Sequence, residues 1–277
     1  MRNTLARVRR TALLGVVVAT TAPLLWAGVA AADDPPAGSV SGVAWEDLNE
    51  DGRRQANEPA LPDHWMYIKA DGLMRSTVTD GQGRYRFSDL PAGQYVVTSD
   101  DRSRSGGLGL TLRTHDSRFD PVTRQSKPVE IKRTDTGFSH VTGLDAGLVT
   151  ARGNLGVTQV LLEGHPDGHF RVGERVRLRI GVANLGNVAD TVGVTVQLPW
   201  GLRAVGAGGS MRADVVADDK VWARTRTRVL PGPEEVVTID VVADAPTSGE
   251  VRVGTAYNDY RDTNPANNRR TLPVAAS

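Results

Sequence analysis

From residue 38 onward the chain alternates between apolar and polar positions. Ser39-Val40-Ser41-Gly42-Val43-Ala44-Trp45 sets small polar residues against apolar ones, and Trp65-Met66-Tyr67-Ile68-Lys69 is a second extended run. A period of two marks a half-buried strand. Ser76 to Phe87 reads as strand, tight Asp80-Gly81-Gln82-Gly83 turn, strand, with Tyr85 and Phe87 on one face. Leu90-Pro91-Ala92-Gly93 then turns into Gln94 to Thr98, so a hairpin followed by a meander is expected. The second half repeats the theme. Asn154 to Leu162 is a strand, His165-Pro166-Asp167-Gly168 a turn, and Val172 to Ile180 alternates apolar residues with arginines. Further strands are expected at 192–198, 221–229, 235–242 and 250–257, with a last one after Asn268. No long helical periodicity interrupts them, so the fold class is all-β.

Composition adds a compartment. Arg2, Arg7, Arg9 and Arg10 precede an apolar stretch from Thr11 to Trp26, and Ala30-Ala31-Ala32 supplies small residues for cleavage. This predicts a secretory signal at 1–32, cleaved to leave Asp33 first. The stretch is short for a spanning helix and contains Thr20, Thr21 and Pro23, so no membrane segment is expected after cleavage. Without the four signal arginines, 29 basic residues face 32 acidic ones, a net charge of about −3 that leaves no basic stripe for nucleic acid. The chain has no cysteine, so an extracellular protein of this length is expected to be held by packing and bound metal in place of disulfides.

One stretch carries chemistry. Asp47, Asn49, Asp51, Gly52, Arg53, Gln55 and Glu58 occupy positions 1, 3, 5, 6, 7, 9 and 12 of a twelve-residue segment, the ligand order of an EF-hand calcium loop. Calcium takes six to eight oxygens, so a short loop must turn oxygens inward at alternate positions. Asp47, Asn49 and Asp51 can do so, Arg53 can offer its carbonyl, Gln55 its amide or a water, and Glu58 both carboxylate oxygens. The glycine at the sixth position permits the sharp turn. Strands rather than helices flank the loop, so a helix–loop–helix hand is not expected. The competing reading is a solvated Asx-rich turn.

The motifs also form an ordered series. Ser41-Gly42-Val43, the loop with Glu58-Pro59 and Leu61-Pro62, Thr79-Asp80-x-x-Gly83-x-Tyr85-x-Phe87, Leu90-Pro91-x-Gly93-x-Tyr95, His115 to Thr123 and Leu144-Asp145-Ala146-Gly147-Leu148 resemble the SdrD B-like domain of bacterial surface proteins. The resemblance implies an immunoglobulin-like β-sandwich over residues 37–149, rigidified by Ca2+ and used as a stalk or spacer. It also implies that further calcium sites would fall to Asp80, Asp116, Asp120 or Asp145, although Arg118 stands where the family commonly carries an acid. Related adhesin domains close a Lys–Asn isopeptide bond, but the strand ending Val97-Thr98-Ser99-Asp100 lacks the usual Glu, so Lys69 is expected to be an ordinary strand lysine. Residues 150–277 resemble the DUF11/CARDB group of immunoglobulin-like repeats through Val172-Gly173-Glu174, Val182 to Gly186, Leu198-Pro199-x-Gly201-Leu202, Leu230-Pro231-Gly232 and Asp262 to Asn268. The expectation is thus two immunoglobulin-like sandwiches in tandem after a signal peptide.

Catalytic patterns are weak. His165 and His169 are four apart, but Pro166 and Gly168 between them rule out a stable helix. Ser139-His140 near Asp135 supplies triad residue types without triad geometry. Histidines 64, 115 and 140 are expected at the surface or partly buried. No G-x-S-x-G, H-E-x-x-H or phosphate loop occurs, and an enzyme is not expected. The chain is expected to be a secreted monomer, free or loosely wall-associated because Leu272-Pro273 is followed by no sorting signal. It would act as a structural or adhesion-type protein toward an extracellular protein or glycan. The alternatives are a soluble ligand-binding module, with Trp65, Trp200 and Trp222 as candidate aromatic platforms, and an accessory part of a surface enzyme system.

Overall fold

The computed structural model describes residues 37–100, 107–256 and 258–277; the expected signal at 1–32, with Ser103, Ser105 and Gly106 of a polar stretch and Tyr257 at a strand end, lies outside the described residues. Among the described residues every element is a strand except a single 3-10 turn at Pro265–Asn267.

The first sandwich contains β1 (Gly38–Glu46), β2 (Trp65–Ala70), β3 (Leu73–Val78), β4 (Arg84–Leu90), β5 (Gly93–Ser99), β6 (Leu108–Leu110), β7 (Val129–Ile131), β8 (Arg133–Thr134), β9 (Gly137–Phe138), β10 (His140–Val141) and β11 (Ala146–Thr150). One sheet is built around β1. It pairs antiparallel with β4 and parallel with β10 and then β11, to which β6 adds antiparallel. The other sheet runs β3-β2-β5-β7. Val40, Phe87 and Leu148 from the first sheet meet Met66, Ile68 and Val97 from the second in one core.

The expected hairpin and meander do not form. The Asp80 turn is present, with Asp80 Oδ1 accepting from the N–H groups of Gln82 and Arg84, but β3 pairs with β2 while β4 pairs with β1. The turn therefore carries the chain from one sheet to the other, and the Leu90–Gly93 turn carries it back. Alternation reveals a strand and its buried face, whereas pairing is decided by where that face finds its partner. Tyr85 and Phe87 turn inward from β4, while β3 has no buried residue and lies at a sheet edge.

The second sandwich contains β12 (Leu155–Leu162), β13 (His169–Phe170), β14 (Arg175–Asn184), β15 (Gly193–Gln197), β16 (Leu202–Gly209), β17 (Arg212–Ala217), β18 (Lys220–Arg224), β19 (Glu234–Ala243), β20 (Thr247–Thr255) and β21 (Arg269–Ala276). The sheets run β12-β14-β19-β16 and β13-β21-β20-β15-β18-β17. The antiparallel β12-β14-β19-β16 order and the facing β15, β20 and β21 reproduce the ABED and CFG layers of an immunoglobulin-like sandwich. Val176, Leu178 and Ile180 of β14 face Val194, Val196 and Val253 across a second core. Each such side chain is worth about 1.5–3 kcal/mol on full burial, which fixes the face β14 presents. Its arginines stay outside, where Arg177 pairs with Asp240 at 2.7 Å. The expected strand at 221–229 is shorter, ending at Arg224, and the strands β16 and β17 have no counterpart among the expected ones. The Ala- and Gly-rich sequence of β16 has low β-propensity, and β16 carries a bulge opposite Asp240, while β17 is a short strand with no fully buried residue.

Between the cores lies a small third cluster of Val149, Val188 and Tyr260. Gly109 in β6 permits it. A Cβ there would stand 2.6 Å from Val188 Cγ1 and 2.9 Å from Tyr260 Oη.

Candidate metal centre

The Asp47–Glu58 loop connects β1 to β2, and its ends are fixed by backbone bonds. Asp47 N–H donates to Leu148 O at 2.6 Å, Glu46 N–H to Pro59 O at 2.9 Å, and Leu61 N–H to Ala44 O at 3.0 Å. Entry and exit thus lie side by side, and the residues between must curl.

The predicted ligand residues meet in one hydrogen-bonded ring. Asp47, only 1% exposed, accepts from Asp51 N–H at 3.1 Å and from Gly52 N–H at 2.8 Å on its two oxygens. Asn49 Oδ1 also accepts from Asp51 N–H, at 3.2 Å. Asp51 Oδ1 accepts from Arg53 N–H at 2.7 Å, and Asp51 Oδ2 from the amides of Asn49 and Gln55 at 3.1 and 2.7 Å. Glu58, 7% exposed, spans the ring. Its two oxygens accept from Leu48 N–H at 2.9 Å and Gln55 N–H at 3.0 Å. The N–H of Arg53, first of several hydrogen bonds, holds the Asp51 carboxyl below the usual carboxylate range. Gly52 adopts φ 74°, and a Cβ there would stand 2.1 Å from Arg113 O, so both conformation and space demand glycine.

Among the described residues no three His, Cys, Asp or Glu side chains converge as a metal-binding group. The loop carboxylates are satisfied instead by its own N–H groups. One atom departs from this pattern: Gln55 Oε1 is buried with no hydrogen-bond partner. The donor set is all oxygen, with two buried carboxylates, Asp47 and Glu58, and one unpartnered amide oxygen, and it fits a hard cation.

The other acids divide. Asp116 reaches the loop, its N–H donating to Gly52 O at 2.8 Å and its Oδ2 accepting from Arg54 N–H at 2.9 Å. Asp145 accepts from Val43 N–H at 2.8 Å, and burial raises its pKa. Asp80 and Asp120 cap their own turns. Glu50, at the fourth position and not a ligand in the pattern, has φ 59° and an ion pair with Arg152 at 2.7 Å. Sequence reasoning misses it. Nothing in the loop sequence signals that contact, because its partner is supplied by a distant segment.

The catalytic alternatives do not assemble. Ser139 Oγ accepts from Lys132 N–H at 2.8 Å, whereas His140 Nδ1 lies 2.9 Å from Ser39 Oγ, so the two neighbours serve different strands. His165 Nδ1 contacts His169 O at 2.7 Å within the expected turn, and its Nε2 lies 3.2 Å from Glu174. The expectation of surface or partly buried histidines holds for the exposed His115 and His140 but not for His64. His64 is fully buried, with Nε2 at 2.8 Å from Ser99 Oγ, because the turn at Asp63 brings it under β5. Trp65 is 46% exposed and stacks near Tyr67, Trp222 lies beneath Arg224, and Trp200 is 87% exposed on the Pro199–Gly201 turn.

Comparison with known proteins places the loop in context. Bone sialoprotein-binding protein and serine-aspartate repeat-containing protein E, both of Staphylococcus aureus, are 38% identical to this chain over 64 residues. That is 22% of this chain and 6% of each relative, so the chain spans a small fraction of their length. Among solved structures, the RrgB pilus protein of Streptococcus pneumoniae aligns with 81% of this chain and 49% of its own at 13% identity and a TM-score of 0.37. Residues 38–148, which hold the loop and the whole first core, match the family model of the SdrD B-like domain.

Proposed function

We propose that this chain is an extracellular structural or adhesion-type protein whose first sandwich is stiffened by calcium bound in the Asp47–Glu58 loop. The carrying observation is the loop itself, with buried Asp47 and Glu58 and the unpartnered Gln55 Oε1 inside one closed ring. Asp47, Asn49, Asp51 and Glu58 would hold the ion with side-chain oxygens, with Arg53 through its carbonyl and Gln55 through its amide or a water. Bound calcium would supply the crosslink that a cysteine-free chain lacks. The match of residues 38–148 to a domain found in surface proteins supports this placement, and a secreted monomer engaging a protein or glycan is the reading that follows.

The test is calcium titration of the mature chain by calorimetry, with melting curves in calcium and in chelator. A ligand at a hundredfold excess over its Kd stabilises by about 2.7 kcal/mol, a shift of several degrees that a melt resolves. Asp51→Ala with Glu58→Ala should abolish both heat and shift. A wild-type chain that neither binds nor shifts refutes the reading. The second sandwich supports a further role, because Trp200 at 87% exposure is unusual for so large an apolar side chain. A glycan array should then show binding that Trp200→Ala removes.

A further inference from the structure

The calcium-type loop lies against the linker between the sandwiches. Asp47 N–H is bonded to Leu148 O at the end of the first core, and Glu46 accepts from Thr150 Oγ1 at 3.1 Å. Glu50, held at φ 59° where residues with a Cβ are uncommon, reaches further. Its Oε1 lies 2.7 Å from Arg152 Nη2 and accepts from Asn187 Nδ2 at 3.0 Å. Asn187 grips the linker from the other side, its Oδ1 accepting from Arg152 N–H at 2.6 Å and its Nδ2 donating to Thr150 O at 3.0 Å. Backbone bonds from Ala151 N–H to Gly107 O and from Leu185 N–H to Asn154 O tie the linker to both sandwiches.

We propose that occupancy of the loop by a divalent cation and the angle between the two sandwiches are coupled through Glu50, which latches the loop onto Arg152 and Asn187. The inference rests on the calcium reading above and adds to it what the ion controls. Glu50 stands between Asn49 and Asp51, so an ion that draws in the oxygens of both neighbours fixes the backbone from which Glu50 projects. Loss of the ion frees that backbone and loosens the latch. The coupling is reciprocal: a loop already held by Arg152 and Asn187 loses less freedom on binding the ion, and so binds it more tightly.

The chain has no cysteine, so Lys69→Cys and Ser248→Cys, both at exposed strand positions, place one spin label on each sandwich of the full chain. Calcium is expected to narrow the interlabel distance distribution relative to chelator. Glu50→Ala, and separately Arg152→Ala with Asn187→Ala, should leave it broad in saturating calcium. The same variants should still bind calcium by calorimetry, with affinity reduced about two- to fivefold, the scale of a partly exposed ion pair with its hydrogen bond. Calcium binding with an unchanged distribution, or latch variants that narrow like the parent, overturns the coupling alone. Absence of calcium binding in the parent overturns the calcium reading and the coupling together.

Discussion

Asp190 shows what one buried carboxyl costs. It is fully buried; Oδ1 accepts from the N–H groups of Thr191 and Asp259, both at 2.7 Å, and Oδ2 has no partner. Burial first, and then the nearby Asp259 carboxylate, push its pKa up to about 7, with the Arg228 guanidinium opposing. The ordinary value is about 3.9, so between these limits the unfolded chain has released a proton that the folded chain keeps. Its contribution to stability therefore falls by ~1.4 kcal/mol for each pH step of one between about 4 and 7, and levels off above. Asp190→Asn keeps the Oδ1 acceptor without the charge. In calcium-free buffer its Tm should fall less than the parent's between pH 5 and pH 8, and parallel profiles would count against this account. The residues proposed to hold calcium are legible in the sequence because their spacing is local. Glu50 and Asp190 are not, because the groups that give them meaning lie 137 and 69 residues away in Asn187 and Asp259.

Among the elements, β6 is short and easily overlooked, yet it forms the seam. Gly109 lets Val188 and Tyr260 of the second sandwich close over it, so Gly109→Val must push them away. Overpacking of this kind costs about 1–3 kcal/mol, and the side chains it displaces, Val188 and Tyr260, belong to neither main core. The expected result is faster amide exchange at residues 149–153 with protection in β14 and β19 retained; uniform loss of protection would mean the seam is not separable from the cores. Alternation makes β1, β2, β12, β14, β19 and β20 legible as strands. It does not reveal that β3 and β4 part company across the Asp80 turn, since a turn looks the same whether it joins neighbours or crosses between layers. The strands β16 and β17 are illegible for another reason: their place depends on pairing with β19 and β18 rather than on their own composition.

For the whole molecule, the absence of cysteine leaves packing, the loop and the linker to hold the two sandwiches. Lys69 is exposed on β2, away from the core that an isopeptide crosslink requires. The intact mass should equal the value calculated from the sequence of the isolated chain, and a deficit of one ammonia would reveal a bond that this geometry does not foresee. The parallel pairing of β1 with β11 has a mechanical consequence. Tension applied at Gly38 and at Thr150 pulls these neighbouring strands in opposite directions along their length. The bonds joining Ala44, Trp45 and Glu46 to Ala146, Gly147 and Leu148 are then loaded in shear, all together, rather than peeled one at a time. A domain threaded this way resists stretching at the very strand pair from which the Asp47–Glu58 loop departs.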